Sequence, residues 1–202
     1  LYGQELNLIT SSMARANLYL NGIEDFSIAR GDTLNDPKFI ENGSMKKFDI
    51  VIANPPFSLA KWGKKESDND SFGRFPYGTP PKDIGDLAFV QHMIASLNAE
   101  GKLGVVVPHG VLFRGSSEKE IRKGILGNDL LEAVIGLPSK LFYGTGIPAA
   151  MLIINKKKSK DRKNKIIFIN SELEFEEGKN QNRLREKDIK KILSKFDNFN
   201  DT

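Results

Sequence analysis

Apolar residues recur every three or four positions in the first part of the chain, which is the spacing of a helix with one buried face. The pattern runs from Leu6 to Leu20 and stops at Asn21 and Gly22, so it predicts a helix of about four turns. The residues predicted to be buried are Leu6, Ile9, Met13, Ala16 and Leu20. A second helix is predicted over residues 86–101, and a third near the carboxyl terminus. The apolar residues of the third helix are Ile189, Ile192, Leu193 and Phe196.

Short apolar runs between these helices predict strands. The runs cover residues 26–29, 49–53, 103–108, 130–138, 149–155 and 165–169. The run LGVVVP at 103–108 is apolar on both faces, which is typical of a central strand in a covered parallel sheet. Ser117 and Glu120 have the spacing of a capping box, which predicts a short helix ending near Leu126.

Helices and strands alternate along most of the chain, which predicts the α/β class with a doubly wound, mostly parallel sheet. Ligands of such sheets bind outside the carboxyl ends of the strands. Residues with polar or rigid side chains stand at several of these ends, namely Glu5, Asp32, Asn54 and Pro108. The sequence therefore predicts a site along this edge of the sheet.

The composition fits one globular domain, because 39% of the 202 residues are hydrophobic. The chain has no cysteine and two histidines, which argues against disulfides, thiolate metal sites and a zinc centre. No apolar run reaches the roughly 20 residues that a bilayer requires, and we expect a cytosolic protein without membrane contact. The net charge of +4 permits a polyanionic partner without requiring one.

The stretch DIVIANPPFS, residues 49–58, places an amide and an aromatic ring directly after a predicted strand. Pro55 and Pro56 stiffen the backbone, so the side-chain oxygen of Asn54 and a main-chain oxygen are held side by side. Two fixed acceptors suit a planar amine, and Phe57 offers a face for a planar ring. Such acceptors favour the form of an adenine amine whose lone pair is localised and can attack a positioned methyl donor. The alternative is an Asn-Pro turn with a core phenylalanine.

The chain resembles the adenine-N6 DNA methyltransferases that form the modification (M) subunit of type I restriction-modification systems. The resemblance covers most of residues 1–170 and rests on seven strings in order. They are YGQE, MARANLYLNGI, GDTL, ANPPFS, GTPPKDIGDLAFVQHMIASL, GKLGVVVPHGVLFRG and IGLPSKLFYGTGIPAAMLIINK. The resemblance implies a Rossmann-like fold, S-adenosylmethionine as cofactor and double-stranded DNA as substrate. It also implies specificity and restriction subunits as partners.

The resemblance also implies roles for individual residues. Glu5 would accept hydrogen bonds from the ribose hydroxyls of S-adenosylmethionine, and Asp32 would accept a hydrogen bond from the adenine amine of the cofactor. Asn54, Pro55 and Phe57 would form the catalytic motif, with Asn54 also next to the cofactor. Phe142 would pack on the target base opposite Phe57, because the adenine has to be flipped out of the duplex. Each residue taken alone also has a simpler explanation. Glu5 could be an acidic residue at a helix N-terminus, Asp32 a turn residue, and Phe142 a side chain packed in the core or at the surface.

Relatives of this kind have the strand order 3-2-1-4-5-7-6 and a first strand followed by a glycine-rich turn. The sequence shows no such element upstream, and the downstream candidate from Phe142 to Gly146 lacks the flanking strand and helix. We therefore expect a fragment that either has a gap between its two halves or rearranges. We also expect it to bind the cofactor poorly or not at all and to be inactive alone. Residues 1–170 are predicted to form a partial catalytic domain, and 171–202 a carboxy-terminal extension with an amphipathic helix.

Other interpretations stay open at this point. The same motif serves enzymes that methylate a protein glutamine or a guanine of ribosomal RNA, and a truncated inactive product is a further alternative. The basic run 156–165 fits either phosphate contact or a solvated turn between strands. The segment 61–82 fits either disorder or a lid whose Trp62, Phe72 and Tyr77 stack on DNA. The two histidines are interpreted as structural.

Overall fold

A computed structural model describes residues 1–143 and 146–200 of the chain. The helices are α1 (Leu8–Leu20), α2 (Lys64–Ser67), α3 (Asp86–Ala95), α4 (Gly110–Phe113), α5 (Ser116–Gly127) and α6 (Glu186–Asn198). The strands are β1 (Tyr2–Glu5), β2 (Ser27–Arg30), β3 (Ile40–Glu41), β4 (Ser44–Met45), β5 (Phe48–Ala53), β6 (Leu97–Pro108), β7 (Leu131–Gly136), β8 (Ala149–Asn155) and β9 (Ile167–Asn170). Each predicted strand and long helix is present. The helix predicted over 86–101 ends earlier, because β6 begins at Leu97.

Five strands form one sheet in the order β5-β6-β8-β7-β9. β5 is parallel to β6 and β7 is parallel to β9, whereas β8 is antiparallel to both of its neighbours. Four of the five strands therefore run in one direction, which confirms the predicted α/β fold with a mainly parallel sheet. β8 is reversed because no helix stands among the described residues between β7 and β8, and parallel pairing requires a crossover.

β1 and β2 pair in parallel as a separate sheet, and β3 and β4 form a small antiparallel pair. Within the described ranges, no ladder joins β1 to β5, so the expected gap between the two halves is present. The order β2-β1, gap, β5-β6-β8-β7 follows the order 3-2-1-4-5-7-6 with the place of strand 1 open. β9 extends the sheet at the outer edge.

The core lies on both faces of the five-stranded sheet. On one face, α3 and α5 pack against the side chains of Leu103, Val105 and Val107 of β6. Val106 points to the other face, into a second cluster that includes Ile192 of α6. Each of these four β6 side chains is at most 9% exposed, and burying one contributes about 1.5–3 kcal/mol. The predicted central, doubly covered strand is therefore confirmed.

The predicted buried face of the first helix is wrong. Ile9, Met13 and Leu20 are 70%, 66% and 88% exposed, and the residue of α1 that is fully buried is Ser11. Arg15, on the same side of the helix as Ser11, donates to the carbonyl oxygen of Ile28 in β2 at 3.2 Å. A sheet of two short strands covers only a narrow stripe of a helix, and the periodicity does not identify which stripe meets it.

The predicted capping box at Ser117 is also wrong. α5 begins two residues earlier than the capping box predicts, because its N-cap is Gly115 instead of Ser117, and it has no side-chain capping bond. The carboxylate of Glu120 instead pairs with Lys123 at 2.9 Å, so it does not reach back to the helix start. The predicted helix is therefore confirmed, but the predicted capping of its first turn is not.

The amphipathic helix predicted near the carboxyl terminus is α6. It packs against β9, and Ile192 is buried beside Ala133 and Ile169 of the sheet. The boundary proposed at residue 170 stays a prediction, and residues 201 and 202 lie outside the described residues. In the described part of the chain, no helix has both the length and the apolar character needed to cross a membrane.

Candidate active site at the carboxyl ends of the strands

Asn54 follows the last residue of β5 and lies at the carboxyl edge of the five-stranded sheet. Its side chain is exposed and makes no hydrogen bond within residues 1–143 and 146–200. Pro55 and Phe57 are half-buried beside it. The amide oxygen of Asn54 is therefore open to a ligand and is not used as a turn acceptor.

The structure brings Phe57 and Phe142 together. Their ring centroids are 6.1 Å apart and the ring planes meet at 79°, an edge-to-face contact. Both rings sit at the border of the second core cluster. An edge-to-face pair at this distance leaves no space for a third ring between them, so a base could enter only after one ring turns away. Gly144 and Thr145, which follow Phe142 closely, lie outside the described residues.

The two acidic residues assigned to the cofactor meet at the edge of the other sheet. Glu5 ends β1, and its carbonyl oxygen accepts from the N–H of Gly31, one residue before Asp32. Each carboxylate also supports its own loop. Glu5 Oε1 accepts from Asn7 N at 2.7 Å, and Asp32 accepts from the N–H groups of Leu34 and Asn35.

Both acids are half-buried, and Glu5 Oε2 has no partner among the described residues. A carboxylate oxygen open at a strand end suits a hydroxyl donor such as a ribose. The residues present therefore fit a nucleoside cofactor on this side of the site. The described residues contain no group of three His, Asp or Glu side chains placed to hold a metal ion.

The loop after Asn54 is tied to the start of α3. Asp86 Oδ1 accepts from Ser58 N at 2.7 Å, and Gly85 N donates to the carbonyl oxygen of Leu59 at 3.0 Å. A Cβ atom at Gly85 would lie 2.9 Å from Trp62, so only glycine permits this approach. The loop and the first turn of α3 thus form one packed unit.

Asp86 also belongs to a buried charge cluster. Its Oδ2 accepts from Arg114 at 2.8 Å, and the same Arg114 nitrogen lies 3.3 Å from Glu118 Oε1. Asp86 and Glu118 are each 1% exposed. Burial raises the pKa of Glu118, although the charge of Arg114 opposes the shift. The sequence reasoning missed Arg114 and Glu118 and took Asp86 only as a helix start.

Trp62 is not available to stack on DNA. It is 2% exposed, lies in a cluster with Leu34 and Ala88, and donates through Nε1 to the carbonyl oxygen of Pro81 at 2.8 Å. The predicted stacking role of Trp62 is therefore wrong. The other two candidates, Phe72 and Tyr77, are half-buried, and burial raises the pKa of Tyr77.

A buried arginine holds the segment that contains Phe72. Arg74 bonds Asp70 through Nε at 2.8 Å and lies 3.2 Å from His92 Nδ1 on α3. Because arginine is always a donor, Nδ1 of His92 is the acceptor and the neutral ring carries its proton on Nε2. Burial lowers the pKa of His92 to about 4, with the charge of Arg74 acting in the same direction.

This cluster predicts a pH dependence of folding stability. Between pH 6.5 and about 4, an unfolded His92 binds a proton and the folded one does not, so stability falls as the pH falls. The loss is on the order of 3 kcal/mol across this window. We expect His92→Gln, which keeps an acceptor for Arg74, to flatten the slope in urea denaturation from pH 7 to 4.5. An unchanged slope would refute the buried neutral imidazole.

The basic run 156–165 lies at the opposite edge of the sheet from Asn54. It follows the end of β8, where Asn155 pairs with Lys102 of β6, whereas Ala149 at the start of β8 pairs with Pro108. Several of its charges are neutralised: Lys158 pairs with Asp129 at 2.6 Å and Arg162 with Glu132 at 3.3 Å. This position favours the solvated turn over phosphate contact at the candidate site.

Comparison with known families gives a match over the whole chain. The family model described as N-6 DNA methylase matches residues 1–202. The type I restriction enzyme MjaVII methylase subunit of Methanocaldococcus jannaschii is 43% identical, over 100% of this chain and 36% of its own length. The MpnII methylase subunit of Mycoplasma pneumoniae is 37% identical, over 96% of this chain and 37% of its own length. The chain thus spans about a third of the length of these curated relatives.

Solved structures give the same result. A type I restriction-modification system methyltransferase subunit from Streptococcus thermophilus superposes with a TM-score of 0.89 at 37% identity. The match covers 100% of this chain and 42% of that one. A putative class I S-adenosylmethionine-dependent methyltransferase from Listeria monocytogenes has a TM-score of 0.69 at 17% identity, covering 98% of this chain and 55% of that one. The second likeness supports the fold alone.

Proposed function

The chain belongs to the N-6 DNA methylase family, and from this premise we propose that it transfers a methyl group from S-adenosylmethionine to the N6 amine of a flipped-out adenine in DNA. The observation that carries the proposal is the exposed, unbonded carboxamide of Asn54 at the end of β5, next to the Phe57–Phe142 pair. The activity is proposed for the whole protein, to which this chain would contribute the residues that hold the target base and two carboxylates for the cofactor.

The chemistry requires an amine to be held and its lone pair to be made available. The N6 lone pair of adenine is delocalised into the ring, so the free amine is a poor nucleophile. Hydrogen bonds to Asn54 Oδ1 and to the carbonyl oxygen of Pro55 favour the form with a localised lone pair, because both N–H bonds then point at fixed acceptors. Pro56 contributes no N–H donor to compete for these oxygens.

Phe57 and Phe142 are proposed to hold the extruded base. Since the two rings now touch, the base would replace their mutual contact with two base–ring contacts. Stacking on aromatic side chains contributes about 1–3 kcal/mol per base and so offsets the unstacking cost of a few kcal/mol. Phe142 is the ring we expect to move, because the backbone on both sides of Phe57 is restrained, by the ring of Pro56 and by the bond from Ser58 N to Asp86.

S-adenosylmethionine is the methyl donor in this proposal. Glu5 is assigned to its ribose hydroxyls and Asp32 to its adenine amine, with Asn54 at the methionine side. The free Oε2 of Glu5 supports the first assignment. The partners we propose are double-stranded DNA and the specificity and restriction subunits of a type I complex, in the cytoplasm and without membrane contact.

The proposal is tested by the product. The native protein, expressed from its complete gene with any specificity subunit encoded beside it, is supplied with methyl-labelled S-adenosylmethionine and with DNA, ribosomal RNA or cell protein. We expect the label in DNA as N6-methyladenine by nucleoside mass spectrometry. Label in guanine of ribosomal RNA or in protein glutamine, or no transfer at all, would contradict the proposal.

Phe57 and Phe142 together form the proposed base clamp, and removing the Phe142 ring should slow the reaction. Phe142→Ala is expected to lower methyl transfer about 10-fold, because one stacking contact to the flipped base is lost. A duplex with 2-aminopurine at the target position should show less fluorescence gain on binding, since fewer bases stay extruded. Phe168→Ala is the matched control, because Phe168 is 73% exposed on the edge strand β9. Equal signals for Phe142→Ala and wild type would exclude the clamp.

A further inference from the structure

We propose that Asp86 and Arg114 are positioning residues that set the geometry of the Asn54–Phe57 loop, an inference that rests on the proposed function. Neither side chain makes a hydrogen bond to Asn54 in the described part of the chain. Both act through Ser58, the residue directly after Phe57. Asp86 accepts from Ser58 N at 2.7 Å, and Arg114 Nη2 lies 3.4 Å from Ser58 Oγ.

The loop is fixed at both ends. On one side, Ala53 is held in the sheet opposite Val105 of β6. On the other, Ser58 is held by Asp86, and the two residues in the middle are prolines whose φ angles cannot vary. A short segment with two fixed ends and a rigid centre has few alternative conformations, so the hold on Ser58 determines where the Asn54 oxygen points.

Ser58 itself needs support. Its φ is 51°, the left-handed region that a serine adopts only at a cost. Lys61, three residues later, has a φ of 53° and donates its N–H to the carbonyl oxygen of Lys82. The loop therefore keeps an unfavourable backbone conformation through contacts with the segment before α3. Such conformations persist where the surroundings impose them, and they concentrate at functional sites.

Three charged side chains, those of Asp86, Arg114 and Glu118, form the cluster that holds Ser58. Asp86 and Glu118 are buried carboxylates that share one guanidinium, and burying charges costs free energy even when they are paired. Arg114 is itself held in place, because Arg122 donates to its carbonyl oxygen at 2.6 Å and to that of Val111 at 3.1 Å. Directional hydrogen bonds fix a position more narrowly than apolar contacts do, which is the property a catalytic loop requires.

The experiment compares three variants of the native protein in the methyl-transfer assay. Asp86→Asn removes the charge and one of the two acceptors. Arg114→Lys keeps the positive charge between Asp86 and Glu118 but loses the planar fork. Glu132→Gln is the matched control, since Glu132 is 3% exposed and bonds Arg162 and Asn155 at the opposite edge of the sheet. Thermal melting of each variant fixes a temperature at which all are folded.

We expect kcat to fall about 10- to 100-fold in Asp86→Asn, with KM for DNA and cofactor within a few-fold of wild type. In Arg114→Lys kcat should fall less, because lysine keeps the positive charge between the two carboxylates. Glu132→Gln should keep the wild-type kcat. If Asp86→Asn does not fold, the kcat of Arg114→Lys alone tests the inference. A wild-type kcat in the folded Asp86 or Arg114 variant, or an equal fall in Glu132→Gln, overturns the inference. A wild-type protein without methyl transfer overturns the proposed function instead.

Discussion

Asn54→Ala should reduce methyl transfer by about three orders of magnitude while cofactor and DNA affinities stay within a few-fold of wild type. The reason is that its oxygen is needed only when the amine attacks, and removing one such preorganised group typically costs about 10²–10³ in kcat. Since the Asn54 side chain is exposed and makes no hydrogen bond in the described structure, its removal should not change the melting temperature. Single-turnover transfer of a labelled methyl group, with separate binding titrations, measures these quantities.

Asn54→Asp provides the matched control for this result. It keeps the shape of the side chain and the Oδ1 acceptor and replaces the amide nitrogen with a second, charged oxygen, which changes the environment of the cofactor. We expect an activity between those of Asn54→Ala and the wild type. Wild-type turnover in Asn54→Ala would show that the amine is held elsewhere, and a large drop in melting temperature would show that the carboxamide is structural.

Trp62→Ala should destabilise the chain by about 3–5 kcal/mol, the cost of removing a buried aromatic side chain. Trp62 is 2% exposed, contacts the α-carbon side of Gly85 and bonds the carbonyl oxygen of Pro81. Its loss would therefore leave a cavity between the loop after Asn54 and α3. It would also remove one of the two hydrogen bonds to the Pro81 carbonyl oxygen, which keeps the bond from Ile84 N at 3.1 Å. Urea denaturation followed by circular dichroism gives the change in the free energy of unfolding.

Tyr143→Ala is the comparison for the tryptophan. Tyr143 is 88% exposed, and an exposed substitution of this kind usually changes stability by less than about 0.5 kcal/mol. If Trp62→Ala is as stable as Tyr143→Ala and instead weakens DNA binding, the original interpretation of Trp62 as a stacking residue would be restored.

The elements of the fold were predictable because apolar runs and periodicity depend on local sequence. β8, residues 149–155, was predicted with its observed bounds, and the carboxyl edge of the sheet was the right place to look for Asn54. The exposed face of α1 was not predictable, because periodicity finds a stripe of apolar residues but not what covers it. Ile9 and Met13 have the right spacing for burial, yet the small β1–β2 sheet packs on the stripe of Ser11.

The parts of the site that escaped prediction depend on long-range contacts between charged residues. Nothing in the local sequence of Arg114 indicates that it will meet Asp86 and Ser58, because these residues come from separate segments that only the folded sheet brings together. The stacking role considered for Trp62 was wrong for the same reason. A tryptophan in a glycine- and proline-rich loop suggests an exposed side chain, and only the fold shows that Gly85 packs against it. Phe142 was found through the family resemblance, and its contact with Phe57 is an observation of the structure.

The most direct measurement is a crystal structure of the native protein bound to a cofactor analogue and a duplex whose target adenine is extruded. We expect the adenine N6 atom to lie within about 2.7–3.2 Å of both Asn54 Oδ1 and the carbonyl oxygen of Pro55. Phe57 and Phe142 should stack on the base, with the two rings no longer in contact. An extruded base whose N6 atom is bound by other groups, with Phe57 and Phe142 still edge to face, would show that Asn54 does not hold the reacting amine.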